Sequence, residues 1–482
     1  MNPEAPFLFD HQTQRLYTYG HLATYAQHLQ SYFHERGVRQ LGLIARNDAQ
    51  FTLATAACWI LEVPIFPISP KTQKADLEKI MELLPKLSWV HWGTMNNPFF
   101  DDIDTIQLPE LPNQTASADN FEISETPEHI FAWLMTSGTT ANPKIVPLKR
   151  RQMISAARAS ASHCKPGEGD YWMQVLPMHH IGGLSIVYRS LLYGSALYLM
   201  PKFDAGEIAQ LLDGAKKSIK IASLVPTMLH RMLQSSLEHL PGQFHHFLLG
   251  GGPVPAALAK EIQQGKWPVR ASYGMTETSA QIASIDLNSF LEDPRVDTAI
   301  PSGRLFPPNE IEIRNKRGEP LPAMTSGTIW LKGPQVFDGY LNRSSDYQPF
   351  DDRGFFNTGD FGYLDAEDRL FVETRREDLI LTGGENVVPE TVEKALFQLE
   401  EIKDAAVLGL PDEEWGEVVT AALVLQKDQK PSLATIRSRL AGQLAPHQLP
   451  RKVVLVSEIP KTGSGKVRRN QLKKWLQNRN RI

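Results

Sequence analysis

Nine consecutive residues, Thr136 to Lys144 (TSGTTANPK), hold four hydroxyls, a glycine and a lysine directly after the apolar run Ile130 to Met135. Hydroxyls and backbone amides of a turning segment can surround phosphate oxygens, and a lysine adds positive charge. The run lacks GxxxxGK[ST], so it is not a Walker A loop, and an ordinary Ser/Thr turn is the competing reading. A second concentration lies at the C-terminus, where the last 32 residues carry ten basic side chains and one acid, Glu458. Such a segment suits a polyphosphate, a nucleic acid or a membrane surface, or is simply a solvated helix face. Third, Arg189 interrupts the apolar series Leu184, Ile186, Val187, Leu191 and Leu192. A charge at that position is expensive unless it is paired, with a substrate carboxylate or with a structural Asp or Glu.

The elements that must position these groups read as alternating strands and helices. Tyr171 to Pro177, Ser195 to Met200, Ile219 to Val225, His246 to Leu249 and Val269 to Ser272 read as strands. Helical patterns at Leu184 to Tyr193, Ala205 to Ala215, Thr227 to Gln234 and Pro255 to Gln264 fall between them, as parallel βα units require. Between about 300 and 374 the texture changes to short strands broken by Gly and Pro, which predicts an antiparallel subdomain. From Arg375 onward a compact α+β unit is expected, with helices at Glu390 to Leu399 and near Thr435 to Leu444. The expected organisation is therefore an α/β protein with a large N-terminal domain, 1–374, of open α/β sheets with the antiparallel subdomain. A small mobile α+β domain, 375–482, completes it.

Length and composition remove several other classes. A chain of 482 residues with 42% hydrophobic and 22% charged residues can bury a large core and is not mainly disordered. Two cysteines, Cys58 and Cys164, supply neither a disulfide framework nor a four-thiolate zinc site. The apolar stretch Phe51 to Leu61 is well short of the ~20 residues that span a bilayer. No basic residue precedes Arg15, so the N-terminus does not resemble a secretory signal, and a cytoplasmic location is expected. The net charge of −4 is uneven: residues from Arg375 onward carry 18 Lys+Arg against 14 Asp+Glu, leaving −8 for the rest.

TSGTTANPK resembles the signature loop of the adenylate-forming superfamily, which includes acyl-CoA synthetases, adenylation domains and luciferases. The similarity recurs in the family's order at LLGGGPVP (Leu248 to Pro255), SYGMTET (Ser272 to Thr278), FFNTGDFGYLD (Phe355 to Asp365), TRREDLILTGGENVVP (Thr374 to Pro389) and PKTGSGKVRR (Pro460 to Arg469). Six ordered matches over about 330 residues are specific. The resemblance implies that Thr136, Ser137, Gly138, Thr139, Thr140 and Lys144 bind the ATP phosphates. Gly250, Gly251, Gly252 and Tyr273 would line the adenine site, and Thr276 would contact phosphate. Glu277 is similar to the family's Mg²⁺ ligand, Asp360 and Arg375 to its ribose-binding pair, and Lys466 to its mobile adenylating lysine. Glu377 would be the hinge, and Gly383 and Gly384 would face coenzyme A (CoA) after the C-terminal domain rotates.

The implied reaction turns a small-molecule carboxylic acid into an acyl-AMP at the expense of ATP, and then into a thioester of CoA. Two positions depart from the family pattern, Ala141 in place of a loop glycine and Thr374 in place of the glycine before Arg375, and neither removes a reactive group. Leu176 to Gly194 aligns with the start of the family's acyl pocket, which implies pocket roles for His180 and Arg189, although His180 also reads as a core histidine. Within the superfamily the chain most resembles the 2-succinylbenzoate-CoA ligase branch, which serves menaquinone biosynthesis. A fatty- or aryl-acyl-CoA synthetase and an amino-acid adenylation enzyme loading a carrier protein are the siblings. A non-catalytic nucleotide-binding protein would need losses at Lys144, Glu277, Asp360 or Lys466, and none is seen. Nucleic acid is not an expected partner, and a homo-oligomer stays open.

Overall fold

The computed structural model describes the chain except residues 71, 73, 92–104, 114–125, 137–143, 215, 216, 236, 238, 292–299, 342–347, 376, 377, 383, 384, 413, 414, 427–430, 442, 462–466 and 480–482, and the side chains of 74, 75, 91, 256, 374, 375, 385, 386, 416, 478 and 479. Two compact units emerge, Met1–Glu310 with Lys332–Phe356, and Ile311–Leu331 with Asn357–Ile482. The second unit takes in residues 311–331 and 357–374 besides the expected C-terminal domain.

In the first unit, short, fully buried strands such as Leu41–Ile44 and Ile65–Ile68 pair in parallel, because both faces of the sheet are covered. This sheet ends in an antiparallel hairpin, Ile130–Thr136 with Lys144–Lys149. Its neighbouring helix Ala49–Ile60, capped by the Asp48 carboxylate on Phe51 N–H at 2.8 Å, is apolar nearly all round and buried along its length, as expected for Phe51 to Leu61. A second sheet of the same unit runs Ala280–Asp286, Val269–Met275, His246–Leu249, Ile219–Leu224, Tyr171–Gln174, Ala196–Leu199 and Pro6–Asp10. From Val269–Met275 to Pro6–Asp10 all pairings are parallel, and Ala280–Asp286 pairs antiparallel both with Val269–Met275 and with Gly303–Leu305.

Each expected βα element is present, most of them displaced by one to three residues at one end or both, and His246–Leu249 keeps its expected bounds. The helix at Ile181–Tyr193 begins three residues before the apolar periodicity, and Gly183 makes that start feasible, since a Cβ there would lie 2.5 Å from Pro177 O. The strand Val269–Met275 runs three residues past Ser272 because Ala280–Asp286 folds back on it. Its core is aliphatic and aromatic, with Met173, Leu229, Phe247, Ile262 and Leu287 fully buried, each burial contributing about 1.5–3 kcal/mol.

In the second unit the hairpin Phe356–Leu364 with Arg369–Arg375 carries the antiparallel texture read from the sequence. A further sheet pairs Ile402–Asp412 with Gly416–Leu425, and Lys452–Leu455 adds to it in parallel. Alternation sorts its faces: Ala405 and Val407 pack with helix Pro389–Leu396, whereas Ala406 and Leu408 pack with Leu472 and Leu476 of helix Arg469–Arg479. Arg469, the first residue of that helix, is buried, giving Nη2 to both oxygens of Glu393 (2.7 and 2.9 Å) and Nε to Val407 O (3.1 Å), with Glu390 at 3.0 Å. Among the described residues no helix is long and apolar enough to cross a membrane.

Candidate active site

The hairpin Ile130–Thr136/Lys144–Lys149 ends in register, with Thr136 opposite Lys144. The hydroxyl of Thr136 points back to Lys144 O at 3.5 Å, so the two ends of the Ser/Thr-rich run are held together. Ser137, Gly138, Thr139, Thr140 and Ala141 lie outside the described residues.

Glu277 sits in a single 3₁₀ turn, Thr276–Thr278, that connects Val269–Met275 to its antiparallel neighbour. Thr278 Oγ1 donates to Ala280 O at 2.8 Å, and Ser279 and Ala280 take left-handed φ of 55° and 92°. Such values are unfavourable for residues with a Cβ and persist where surrounding bonds enforce them. Those bonds are present: Tyr188 Oη donates to Ser279 O (2.9 Å), and Gln335 Nε2 donates to Gln281 O (3.0 Å) and Thr278 O (3.4 Å). The strained turn presents Glu277 with 8% of its surface exposed.

Tyr340, which no sequence motif flagged, joins the two motifs. Its hydroxyl donates to Glu277 Oε1 at 2.7 Å, and Lys144 Nζ lies 5.1 Å from the centre of its ring. The only sequence signal was an aromatic in the run QVFDGYLN. Glu277 suits magnesium, a hard cation bound by one or two carboxylates plus substrate phosphates rather than an all-protein cage. No group of three or more His, Cys, Asp or Glu placed for a metal occurs among the described residues.

Gly250, Gly251 and Gly252 leave the end of strand His246–Leu249. Gly251 has φ +79°, and a Cβ on Gly250 would press on Ser272 Oγ at 3.3 Å, the hydroxyl that itself donates to Leu249 O. The backbone of this segment therefore runs close to strand Val269–Met275, on which Tyr273 is buried.

His180 and Arg189 share one helix and are not brought together. His180 is its N-cap and reaches the surface, although burial around its ring still lowers its pKa, and the ring is 4.2 Å from that of His179. Arg189 lies nine residues on, about 13 Å along the axis and half a turn round. It is 1% exposed, with Nη1 donating to Gln281 Oε1 at 3.4 Å and the guanidinium 6.0 Å from the Trp172 ring. Arg189 Nε and Nη2 make no hydrogen bond of good geometry, although the guanidinium lies close enough to interact with the Tyr188 hydroxyl, and no ion pair joins it to a carboxylate among the described residues. Burial pushes the Cys164 thiol up, and burial together with the Arg270 charge pushes His246, 3.5 Å from Cys164 Sγ, down to about 3.

In the second unit Asp360 and Arg375 are direct cross-strand partners, and Asp360 is 6% exposed with its amide bonded to Thr358 Oγ1. On either side of residues 462–466, Lys461 pairs with Val467 and Arg468 N–H donates to Pro460 O at 2.8 Å. Lys466, Glu377, Gly383 and Gly384 lie outside the described residues.

The chain is similar to proteins of known family. Residues 1–341 match the model of the AMP-binding enzyme family, and 391–466 match that of the AMP-binding enzyme C-terminal domain. A 2-succinylbenzoate--CoA ligase of Listeria monocytogenes serotype 4b is 38% identical over 341 residues, covering 70% of this chain and 69% of the relative. An o-succinylbenzoate CoA synthetase of Bacillus subtilis, solved with the acyl-adenylate intermediate OSB-AMP, superposes with a TM-score of 0.86 at 29% identity over 98% of this chain and 96% of that one. The same synthetase with ATP and magnesium gives a TM-score of 0.85 at 29% identity, covering 98% and 97%.

Proposed function

This chain belongs to the AMP-binding enzyme family, and from that premise we propose that it is an ATP-dependent acid–thiol ligase that makes 2-succinylbenzoyl-CoA through the acyl-AMP, a step of menaquinone biosynthesis. In the first half-reaction the carboxylate oxygen of the acid attacks the α-phosphorus, and the bond to pyrophosphate breaks. In the second, the CoA thiolate attacks the acyl carbon and AMP leaves. Every group at the first step is anionic, so the chain's part is to hold and neutralise charge. Thr136 to Lys144 and Thr276 take the phosphates, Gly250 to Gly252 and Tyr273 the adenine, and Asp360 with Arg375 the ribose. Glu277 would hold Mg²⁺, which supplies charge neutralisation at the phosphates when bound. Lys466 serves adenylation, and residues 375–482 then turn about Glu377 to bring Gly383 and Gly384 to the thiol.

The observation that carries the choice of acid is the buried, half-satisfied guanidinium of Arg189. Leaving such a charge without a counter-ion is costly, and the side edge formed by Nε and Nη2 is the one that takes both oxygens of a carboxylate. 2-Succinylbenzoate has an aliphatic carboxyl to activate and an aromatic one that stays ionised. The second would pair with Arg189. A cytoplasmic location fits two free, buried cysteines. Pyrophosphate release across a panel of carboxylic acids, with and without CoA, tests the assignment. Turnover should be highest with 2-succinylbenzoate and yield a thioester only when CoA is present. A preference for medium-chain fatty acids, or for a carrier protein over CoA, would move the chain to a sibling activity.

A further inference from the structure

The segment Gly333 to Leu341 lies in the region that the sequence marks as antiparallel, and no motif falls in it. Three of its groups reach the two motifs that handle phosphate. Phe337 N–H donates to Glu277 O at 2.8 Å, Leu341 N–H donates to Ile145 O at 3.0 Å, and the Tyr340 side chain lies between these anchors. Its ring is held edge-on by Phe337, with centroids 4.7 Å apart and planes at 68°. From this fixed position the hydroxyl meets Glu277 Oε1 at 2.7 Å and the ring face meets Lys144 Nζ at 5.1 Å, within the ~6 Å range of a cation–π contact.

We propose that Tyr340 is a positioning residue for nucleotide binding, fixing the Glu277 carboxylate for the metal and the Lys144 ammonium for the phosphates. The role rests on the functional reading above. A carboxylate has two oxygens, and a donor on Oε1 sets its rotation while leaving Oε2 to a cation. A lysine on a four-carbon stem loses much rotamer freedom when it is held, and the aromatic face restricts it before the phosphates arrive. The two effects belong to different atoms of one side chain, so they can be separated. Tyr340→Phe removes the hydroxyl and keeps the ring. Tyr340→Leu removes both.

Calorimetric titration with ATP, with and without Mg²⁺ and with no acid present, reads each effect apart from turnover. For Tyr340→Phe the affinity for MgATP should fall about 10- to 100-fold, the value of one hydrogen bond to a charged group, and the affinity for metal-free ATP less than threefold. Tyr340→Leu should add a further loss of roughly threefold or more for metal-free ATP. In a cycle with Glu277→Gln the double variant Tyr340→Phe/Glu277→Gln should bind MgATP no worse than Glu277→Gln alone, because the hydroxyl acts through that carboxylate. Additive losses, or a Tyr340→Phe variant that binds MgATP like the parent, would overturn the proposal, as would losses that follow the melting temperature alone. Failure of the parent protein to bind MgATP would instead overturn the functional reading itself, and this proposal with it.

Discussion

Replacing Arg189 with Leu should convert an enzyme that demands a second carboxylate into one that does not. Two N–H groups of the guanidinium, Nε and Nη2, are buried and make no hydrogen bond of good geometry, while Nη1 is engaged by the neutral amide of Gln281. A carboxylate docked on that edge gains two charge-assisted hydrogen bonds of about 1.5–3 kcal/mol each. At about 1.4 kcal/mol per factor of ten, their loss should lower kcat/KM for 2-succinylbenzoate by roughly 10²- to 10⁴-fold. The same acid without its aromatic carboxyl, 4-oxo-4-phenylbutyrate, should lose little or gain, since it no longer strands the arginine. Because the substitution removes an uncompensated buried charge, stability should not fall as it would on breaking a buried ion pair. Continuous pyrophosphate release on the two acids, beside a melting curve, gives every quantity needed. Equal losses on both acids would refute the reasoning and make Arg189 a packing residue of its helix.

Lys466→Ala should slow acyl-AMP formation by about 10²- to 10³-fold while CoA transfer from pre-formed acyl-AMP proceeds far better, a split that separate half-reaction assays resolve. Asp360→Ala should weaken ATP and AMP by about 1.5–3 kcal/mol, measured by calorimetry, if its carboxylate takes the ribose hydroxyls. His246 titrates at about 3 in the folded chain, against about 6.5 unfolded, first through burial and then through the Arg270 charge. The unfolded chain therefore binds the extra proton, so the stability His246 contributes is complete above pH 6.5 and is lost as pH falls toward 3, by roughly 2 kcal/mol at pH 5. Melting temperatures over that range should fall with acid, and His246→Gln should flatten the slope.

The candidate site residues are legible in the sequence because they are bunched: TSGTTANPK, SYGMTET and PKTGSGKVRR each concentrate unusual types in one short run. The α/β alternation was legible for a different reason, since buried parallel strands read as short apolar runs and their ends shifted by only one to three residues. Tyr340 and Gln335 were not, because their partners lie about 60 residues away in the chain and no periodicity marks a strap. The surroundings of Arg189 were half legible. Its cost was plain from the apolar helix, but the absence of a described carboxylate and the neutral state of Gln281, Cys164 and His246 are facts of packing.

Asp360 and Arg375 face each other across a hairpin whose register shifts between Phe361 and Gly362. Side chains alternate between faces with every residue along a strand, so a one-residue insertion or deletion in the turn Asp365 to Asp368 would slide one arm and send Arg375 to the opposite face from Asp360. That turn is closed by Asp365, which accepts from the amides of Glu367 and Arg369 and pairs with the Arg369 guanidinium at 2.6 Å. Descendants of this gene should therefore vary in loop length elsewhere and keep the turn's residue count, even where its residue identities drift.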